Sequence, residues 1–168
     1  MHRFRMRICP LALLLILLYL LPASAATGAS GLPIPRFVSL RATEANMRAG
    51  PGQQYPITWT YRRQGLPLEV TAEYDHWRRV RDWQGAEGWM HSSMLSGRRS
   101  IIVTGDVRPL RADPDPESGV LARIEGNVIG RLLSCAKGAD WCRVQVAGVR
   151  GWLLRGEMWG VYDEEKFD

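Results

Sequence analysis

The chain has 168 residues, of which 46% are hydrophobic, and a formal net charge of +5. Three of its 22 basic residues lie at the extreme N-terminus, so residues 26–168 carry 19 basic residues against 17 acidic ones, a net charge of +2. This near balance excludes a nucleic-acid partner recognised through overall positive charge.

Residues 1–25 have the pattern of an export signal. A basic start with Arg3, Arg5 and Arg7 precedes an apolar run over residues 11–21, and Ala23-Ser24-Ala25 has the small residues that signal peptidase recognises. The alternative is a membrane-anchoring helix, but the apolar stretch counted from Ile8 reaches about 15 residues, short of the roughly 20 needed to span a bilayer. We therefore expect cleavage near Ala25, a periplasmic or secreted protein, and no stable membrane insertion after cleavage.

The first half of the remaining chain predicts short strands. Residues 26–35 are rich in small residues, glycine and proline, and predict a flexible leader. From Phe37 onward, apolar and polar residues alternate with a period of two, which is typical of a half-buried strand. Similar runs predict strands at 57–61 and 66–70, a hairpin of 77–82 with 88–91, and a single helical turn at 92–95.

The second half predicts the same succession. Residues 101–111 predict one strand, and Asp113-Pro114-Asp115-Pro116 predicts a loop because proline cannot continue a hydrogen-bonded ladder. Neither half contains a convincing amphipathic helix of ten residues, so frequent glycine turns between short strands predict small β-barrels or sandwiches. The further predicted strands are 120–124, 128–135, 141–146 and 149–154.

Three motifs of the first half recur in the second in the same order, at offsets of 63 or 64 residues. A period of this length corresponds to a whole small domain rather than a solenoid repeat. The recurrent motifs are Met47-Arg48-Ala49-Gly50-Pro51 with Leu110-Arg111-Ala112-Asp113-Pro114, Trp77 and Val80 with Trp141 and Val144, and Gly88-Trp89 with Gly151-Trp152. We predict domains at 36–98 and 99–162 and a C-terminal tail at 163–168. The link of about five residues between the domains holds them adjacent.

Two cysteines remain after signal cleavage, Cys135 and Cys142, both in the second repeat. An exported protein experiences an oxidising compartment, so this closely spaced pair predicts a disulfide bond.

The segment Asn46-Met47-Arg48-Ala49-Gly50-Pro51 resembles the N-(V/L)-R-x-G-P opening of bacterial SH3 domains, often called SH3b. The later Gly65 turn, Trp77 with Val80, and Gly88-Trp89 follow that family's pattern in order over residues 37–97. The second repeat, residues 107–161, departs from it, since Asp113 replaces the motif glycine and Pro109 stands where asparagine would be. The resemblance implies an all-β fold of two tandem SH3-like barrels. The arrangement is similar to that of periplasmic two-module SH3-like proteins of proteobacteria.

The residues give little support to catalysis or metal binding. A cysteine peptidase needs a histidine beside its thiolate, but His76 and His91 lie in the first repeat and both cysteines in the second. Zinc, calcium and phosphate-loop motifs are absent from the sequence. We therefore predict no enzymatic activity, no metal and no cofactor. The carboxylates that could hydrolyse a glycan are expected on solvated faces; they are Glu69, Glu73, Asp75, Asp82 and Glu87.

Aromatic residues are the remaining candidates for function. Seven tryptophans follow the signal, and Trp89 and Trp152 are expected to be structural, each largely buried where the last strand closes its barrel. In SH3b domains the ligand groove is generally lined by aromatic residues between the long first loop and the neighbouring hairpin. By resemblance, this implies ligand-binding roles for Tyr55, Tyr74 and Trp77, with Trp59 and Trp83 as further candidates.

Arg79 is expected at the edge of this groove. It shares a strand face with Trp77 and Arg81, where a guanidinium supports stacking of a sugar or peptide on the ring. The alternative is that the arginines only pair with Asp75, Asp82 and Glu87, and both interpretations remain open.

The predicted function is non-catalytic binding of peptidoglycan or a peptide ligand in the cell envelope, through an aromatic surface groove. The alternative is a structural or scaffolding subunit that packs on an envelope protein partner.

Overall fold

The computed structural model describes residues 26–168, and the expected export signal lies outside these residues. Within this range no helix is long and apolar enough to cross a membrane. The strands are β1 (Ala26–Thr27), β2 (Pro33–Ile34), β3 (Arg36–Leu40), β4 (Ala45–Arg48), β5 (Ile57–Tyr61), β6 (Pro67–Tyr74), β7 (Trp77–Arg81), β8 (Glu87–His91), β9 (Leu95–Ser96), β10 (Ser100–Val103), β11 (Arg108–Arg111), β12 (Val120–Ile124), β13 (Ile129–Cys135), β14 (Trp141–Val146), β15 (Val149–Leu154) and β16 (Met158–Trp159).

Each repeat builds a seven-stranded antiparallel sheet, and the two sheets have equivalent strand orders. The first runs β5-β4-β8-β7-β6-β3-β9 and the second β12-β11-β15-β14-β13-β10-β16. Even the register shifts recur, between Val70 and Ala72 in the first sheet and between Leu132 and Ser134 in the second. The prediction of an all-β fold with two tandem domains is therefore confirmed.

Most predicted strands form, with one clear difference in the second domain. The helical turn after the hairpin is a 3-10 helix at Ser92–Met94, and its counterpart in the second domain is Arg155–Glu157. The single strand predicted over 101–111 is instead divided into β10 and β11. Gly105 interrupts it with a φ of +73°, a conformation that glycine adopts without the steric penalty of a side chain.

Val80 and Val144 are completely buried in the two cores, as their alternation with the neighbouring tryptophans predicts. Trp89 and Trp152, which are expected to be structural, lie outside the two core clusters. Both rings are only half-buried, and the next residues, Met90 and Leu153, fill the cores instead.

In the repeated Gly-Trp motif, the glycine is the residue that lies tightly against a core side chain. A Cβ on Gly88 would lie 2.6 Å from Met47 Cγ, and one on Gly151 would lie 2.7 Å from Leu110 Cγ. Because side chains alternate along a strand, the tryptophan after each glycine points away from the core.

The two domains share a packed interface. Strand β3 places Val38 and Leu40 in the first core, while Phe37 contacts Trp159 and Tyr162 of the second domain at ring-centroid distances of 4.8 and 4.5 Å. Strand β10 contributes to both cores, because Ile101 and Val103 pack in the second and Ile102 in the first.

The hydroxyl of Tyr162 donates a hydrogen bond of 2.8 Å across this interface to Glu69 Oε1, which is buried in the first domain. Burial, followed by the nearby Glu69 carboxylate, raises the pKa of Tyr162 well above its ordinary value. The phenol therefore remains a hydrogen-bond donor at neutral pH.

Both ends of the described chain pack on a hairpin. The segment expected to be a flexible leader forms the strand pair β1–β2, and Ser30 donates its backbone N–H and its hydroxyl to Glu73 at 2.7 and 2.8 Å. At the other end, Phe167 forms a β-bridge with Cys135, which is disulfide-bonded to Cys142. The first and last segments therefore extend the two domains.

Candidate functional site

A pocket of about 310 Å³ opens at one end of the first barrel. Strand β4 brings Asn46 and Arg48 to it, β7 brings Trp77 and β8 brings His91, while Ser93 comes from the 3-10 helix. The motif that opens the first repeat and the hairpin that follows it therefore meet at one site.

The hairpin register sets the aromatic wall of the pocket. Trp77 and His91 are cross-strand partners, and their rings meet edge-to-face with centroids 5.4 Å apart. His91 Nδ1 accepts a hydrogen bond from the backbone N–H of Ser93 at 3.3 Å and lies 2.7 Å from its hydroxyl. With Nδ1 as an acceptor, the neutral ring carries its proton on Nε2, where it can be donated to a ligand.

Arg48 holds the long loop that borders the pocket. Its Nη1 donates to the carbonyl oxygens of Gln53 at 3.0 Å and Tyr55 at 2.7 Å. The ring of Tyr55 covers Gly50, where any side chain would collide with it, and 40% of Tyr55 remains exposed. The Arg48-Ala49-Gly50-Pro51 sequence therefore both shapes the loop and positions Tyr55 at its end.

The predicted ligand-binding aromatics occupy different places around this end of the barrel. Trp77 lines the pocket directly. Tyr74 is the cross-strand partner of Trp77 at the end of the hairpin and is 61% exposed, whereas Tyr55 lies on the loop held by Arg48. Besides Trp77, the ring of His91 also approaches the ring of His76, with centroids 6.0 Å apart.

The two further aromatic candidates lie outside the pocket. Trp59 is 57% exposed on β5, where its nearest ring neighbour is Tyr61 at 6.4 Å. Trp83 packs against the first core, and its Nε1 donates to Asn127 Oδ1 of the second domain at 3.2 Å. Trp83 therefore belongs to the domain interface.

Arg79 is engaged by an acidic neighbour. Its Nη2 lies 2.7 Å from Glu87 Oε2, and half of its side chain remains exposed. The neighbouring arginines are also paired, Arg78 with Glu73 and Arg81 with Glu69. Of Asp75, Asp82 and Glu87, the partners expected from the sequence, Glu87 is the one whose carboxylate pairs with an arginine of this strand.

Sequence reasoning did not assign Asn46, Arg48, His91 and Ser93 to the site. Asn46 and Arg48 were used only as motif residues. His91 could have been found from the hairpin, because pairing its strands around Gln84-Gly85 places His91 opposite Trp77. Ser93 carried no signal in the sequence, since it reaches the pocket only through the 3-10 turn.

The pocket combines an aromatic face with polar groups. The described residues that line it are Asn46, Arg48, Gln53, Trp77, His91, Ser93 and Met94, which include neither a carboxylate nor a thiol. Residues 26–168 also contain no group of three or more metal-ligating side chains. Such a lining can stack on a sugar ring or a peptide plane and donate hydrogen bonds to its oxygen atoms.

Comparison with protein families finds a model described as a bacterial SH3 domain, which matches residues 41–97 and 105–160. A comparison with curated proteins finds no match.

Among solved structures the chain is similar to NlpC2 from Trichomonas vaginalis, with 10% identity and a TM-score of 0.35, covering 74% of this chain and 48% of that one. NlpC1 from the same organism has 10% identity and a TM-score of 0.36, with coverages of 83% and 50%. An NlpC/P60 family protein from Bacillus cereus has 14% identity and a TM-score of 0.33, with coverages of 73% and 55%. The chain spans about half the length of these proteins.

Proposed function

Because the chain belongs to the bacterial SH3 domain family, we propose that it is a non-catalytic binding module of the cell envelope. The ligand is peptidoglycan or a peptide, and it binds in the pocket at the end of the first domain. In this proposal Trp77 supplies the stacking surface, Tyr74 opposite it on the hairpin and Tyr55 on the neighbouring loop add aromatic contacts, and Arg79 lies at the edge.

The observation that carries this proposal is the convergence of Asn46, Arg48, Trp77, His91 and Ser93 on one pocket. The pocket is open to solvent, and its aromatic wall is fixed by the contact between Trp77 and His91. A wall that is ordered before binding loses little conformational freedom when a ligand arrives. The absence of a thiol or carboxylate from the lining favours binding over hydrolysis.

Retention on purified cell-wall sacculi tests the proposal. We expect the unchanged protein to be retained and Trp77→Ala to weaken retention at least tenfold, which corresponds to about 1.4 kcal/mol of binding free energy. Circular dichroism would verify that the variant remains folded.

Two control variants replace a different tryptophan with alanine. Trp59→Ala removes a more exposed tryptophan of the first domain outside the pocket, and Trp141→Ala removes the counterpart of Trp77 in the second domain. Both should retain normal binding. A folded Trp77→Ala variant that binds like these controls would contradict the pocket as the site. Failure of the unchanged protein to bind sacculi would reject peptidoglycan as the ligand and favour the scaffolding alternative.

A further inference from the structure

A second crevice, of about 420 Å³, lies where the two domains meet. Ser39 lines it from the first domain and Arg98 from the link, while the second domain contributes Ser100, Arg131 and Gln145. Its lining shares no residue with the pocket that contains Trp77. The crevice is therefore a separate place for a ligand.

Its second-domain wall is a row of hydrogen-bonding side chains. In the registers of β10, β13 and β14, Ser100 is the partner of Arg131, and Arg131 is the partner of Gln145. Directly opposed residues of neighbouring antiparallel strands project from the same face of the sheet. Strand alternation also places Ser100 on the side of Ile102, which packs in the first core, so the row faces the first domain.

Ser100 is buried without the partner that its hydroxyl needs. The residue is only 8% exposed, and its Oγ makes no hydrogen bond within the described residues. The adjacent Arg99 Nε is likewise buried and unsatisfied in this part of the chain. Buried polar groups in native proteins are almost always hydrogen-bonded, so an unpaired hydroxyl on the wall of a crevice points to a ligand atom.

The charge of the crevice indicates the chemistry of that ligand. Arg98 and Arg131 form no ion pair within residues 26–168, whereas the neighbouring Arg99 pairs with Glu165. The crevice lining contains no carboxylate. Two guanidinium groups beside a hydroxyl form a donor set suited to an anionic oxygen ligand, because guanidinium binds carboxylate and phosphate in bidentate fashion.

We infer that the crevice between the domains binds a carboxylate or phosphate group through Arg98, Arg131 and the hydroxyl of Ser100. A ligand held there contacts both domains at once. Its binding therefore also stabilises their packing by mass action.

Titration of the purified protein with succinate and with inorganic phosphate tests this inference. Amide NMR shifts of residues 98–100 and 130–131 would report binding, with ionic strength held constant because salt screens such interactions. Uncharged succinamide is the control ligand for succinate. We expect at least one anion to shift these amides and succinamide to leave them unchanged, and the stronger of the two anions identifies the preferred group.

A double variant, Arg98→Gln with Arg131→Gln, should weaken this binding at least tenfold. Its control is Arg123→Gln with Arg143→Gln, which removes the same charge from exposed positions outside the crevice lining and should bind normally. Ser100→Ala should weaken binding several-fold without lowering the melting temperature, since the hydroxyl has no protein partner to lose. Trp77→Ala should leave anion binding intact, so failure of the pocket proposal is distinguishable from failure of this one.

The inference is overturned if neither anion shifts these amides, or if succinamide shifts them equally. Equal affinity of the two double variants would overturn it as well. Normal affinity of Ser100→Ala would also contradict the assigned hydroxyl contact.

Discussion

At the end of the first barrel Trp77 is paired across the hairpin with His91, whereas at the same end of the second barrel Trp141 is paired with Leu154. The second domain also has Gly156 where the first has Ser93, and Pro109 where the first has Asn46. The strand framework and the tryptophan are thus repeated. Of the polar groups around the tryptophan, Arg48 is repeated as Arg111, whereas Asn46, His91 and Ser93 are not repeated.

The second domain uses this end to bind its own chain. Arg155 occupies the position of Ser92, and its buried guanidinium donates to the carbonyl oxygens of Ala136 and Ala139, both at 2.9 Å. It also donates to the carbonyl oxygen of Tyr162, which draws the C-terminal segment onto the barrel. In the first domain the corresponding Ser92 is half-buried and has no guanidinium to donate in this way.

The two hairpins differ in a corresponding way. Glu73 and Arg78 form a cross-strand ion pair of 3.1 Å, and the equivalent cross-strand pair in the second domain is the disulfide-bonded Cys135 and Cys142. The first pair binds the N-terminal segment and the second binds Phe167. A duplicated fold therefore keeps its backbone register while its hairpins and barrel ends take different partners.

The largest expected effect comes from replacing Arg155 of the second domain with serine, the residue at the equivalent position 92 of the first domain. Arg155→Ser should lower the free energy of unfolding by about 3 kcal/mol or more, because several carbonyl oxygens lose the same buried donor together. Urea unfolding would measure this loss. Arg123→Ser, at an exposed position on β12, should change stability by less than about 0.5 kcal/mol. Equal stability of the two variants would mean that Arg155 does not hold the C-terminal segment.

An intermediate effect is expected at Glu73. Burial of this carboxylate opposes ionisation, but hydrogen bonds from Ser30 and Arg36 outweigh burial and lower its pKa from 4.5 to about 2. Because the folded-state pKa is depressed, the stabilisation is fully present above about pH 4.5 and is lost as the pH falls toward 2. Glu73→Gln should release residues 26–35 at neutral pH, at a cost of about 2 kcal/mol.

Hydrogen exchange at the Ser30 amide would follow this release. Glu44→Gln is the control, since Glu44 forms an exposed ion pair with Arg62 and should contribute little. Unchanged protection of Ser30 in Glu73→Gln would show that the N-terminal segment packs independently of this carboxylate.

The smallest effect is expected in the pocket itself. His91→Leu introduces the residue of the second domain and removes one hydrogen-bond donor, so retention on sacculi should weaken by about twofold to tenfold. The reciprocal Leu154→His should add no retention, because Pro109 and Gly156 still lack the other polar groups. If His91→Leu is retained as well as the unchanged protein, the difference between His91 and Leu154 does not explain ligand binding by the first domain.

Much of the fold could be predicted because each signal is local. Alternation gave the strand at Ile57–Tyr61, and the Gln84-Gly85 turn predicted the hairpin that carries Trp77. The site was harder to predict, because Asn46, His91 and Ser93 lie far apart in the chain and meet only through strand register. The sequence also did not show that the close contact with Met47 belongs to Gly88 rather than to Trp89.

The sequence by itself determined the duplication, the β-class of both domains and the cysteine pair, since these depend on periodicity, turn residues and short spacing. Only the tertiary structure decided how the domains pack and where polar side chains converge. The run Ile101-Ile102-Val103 illustrates the reason. It has no alternation because both faces of β10 are buried, one in each core, and a sequence pattern cannot specify which neighbour covers each face.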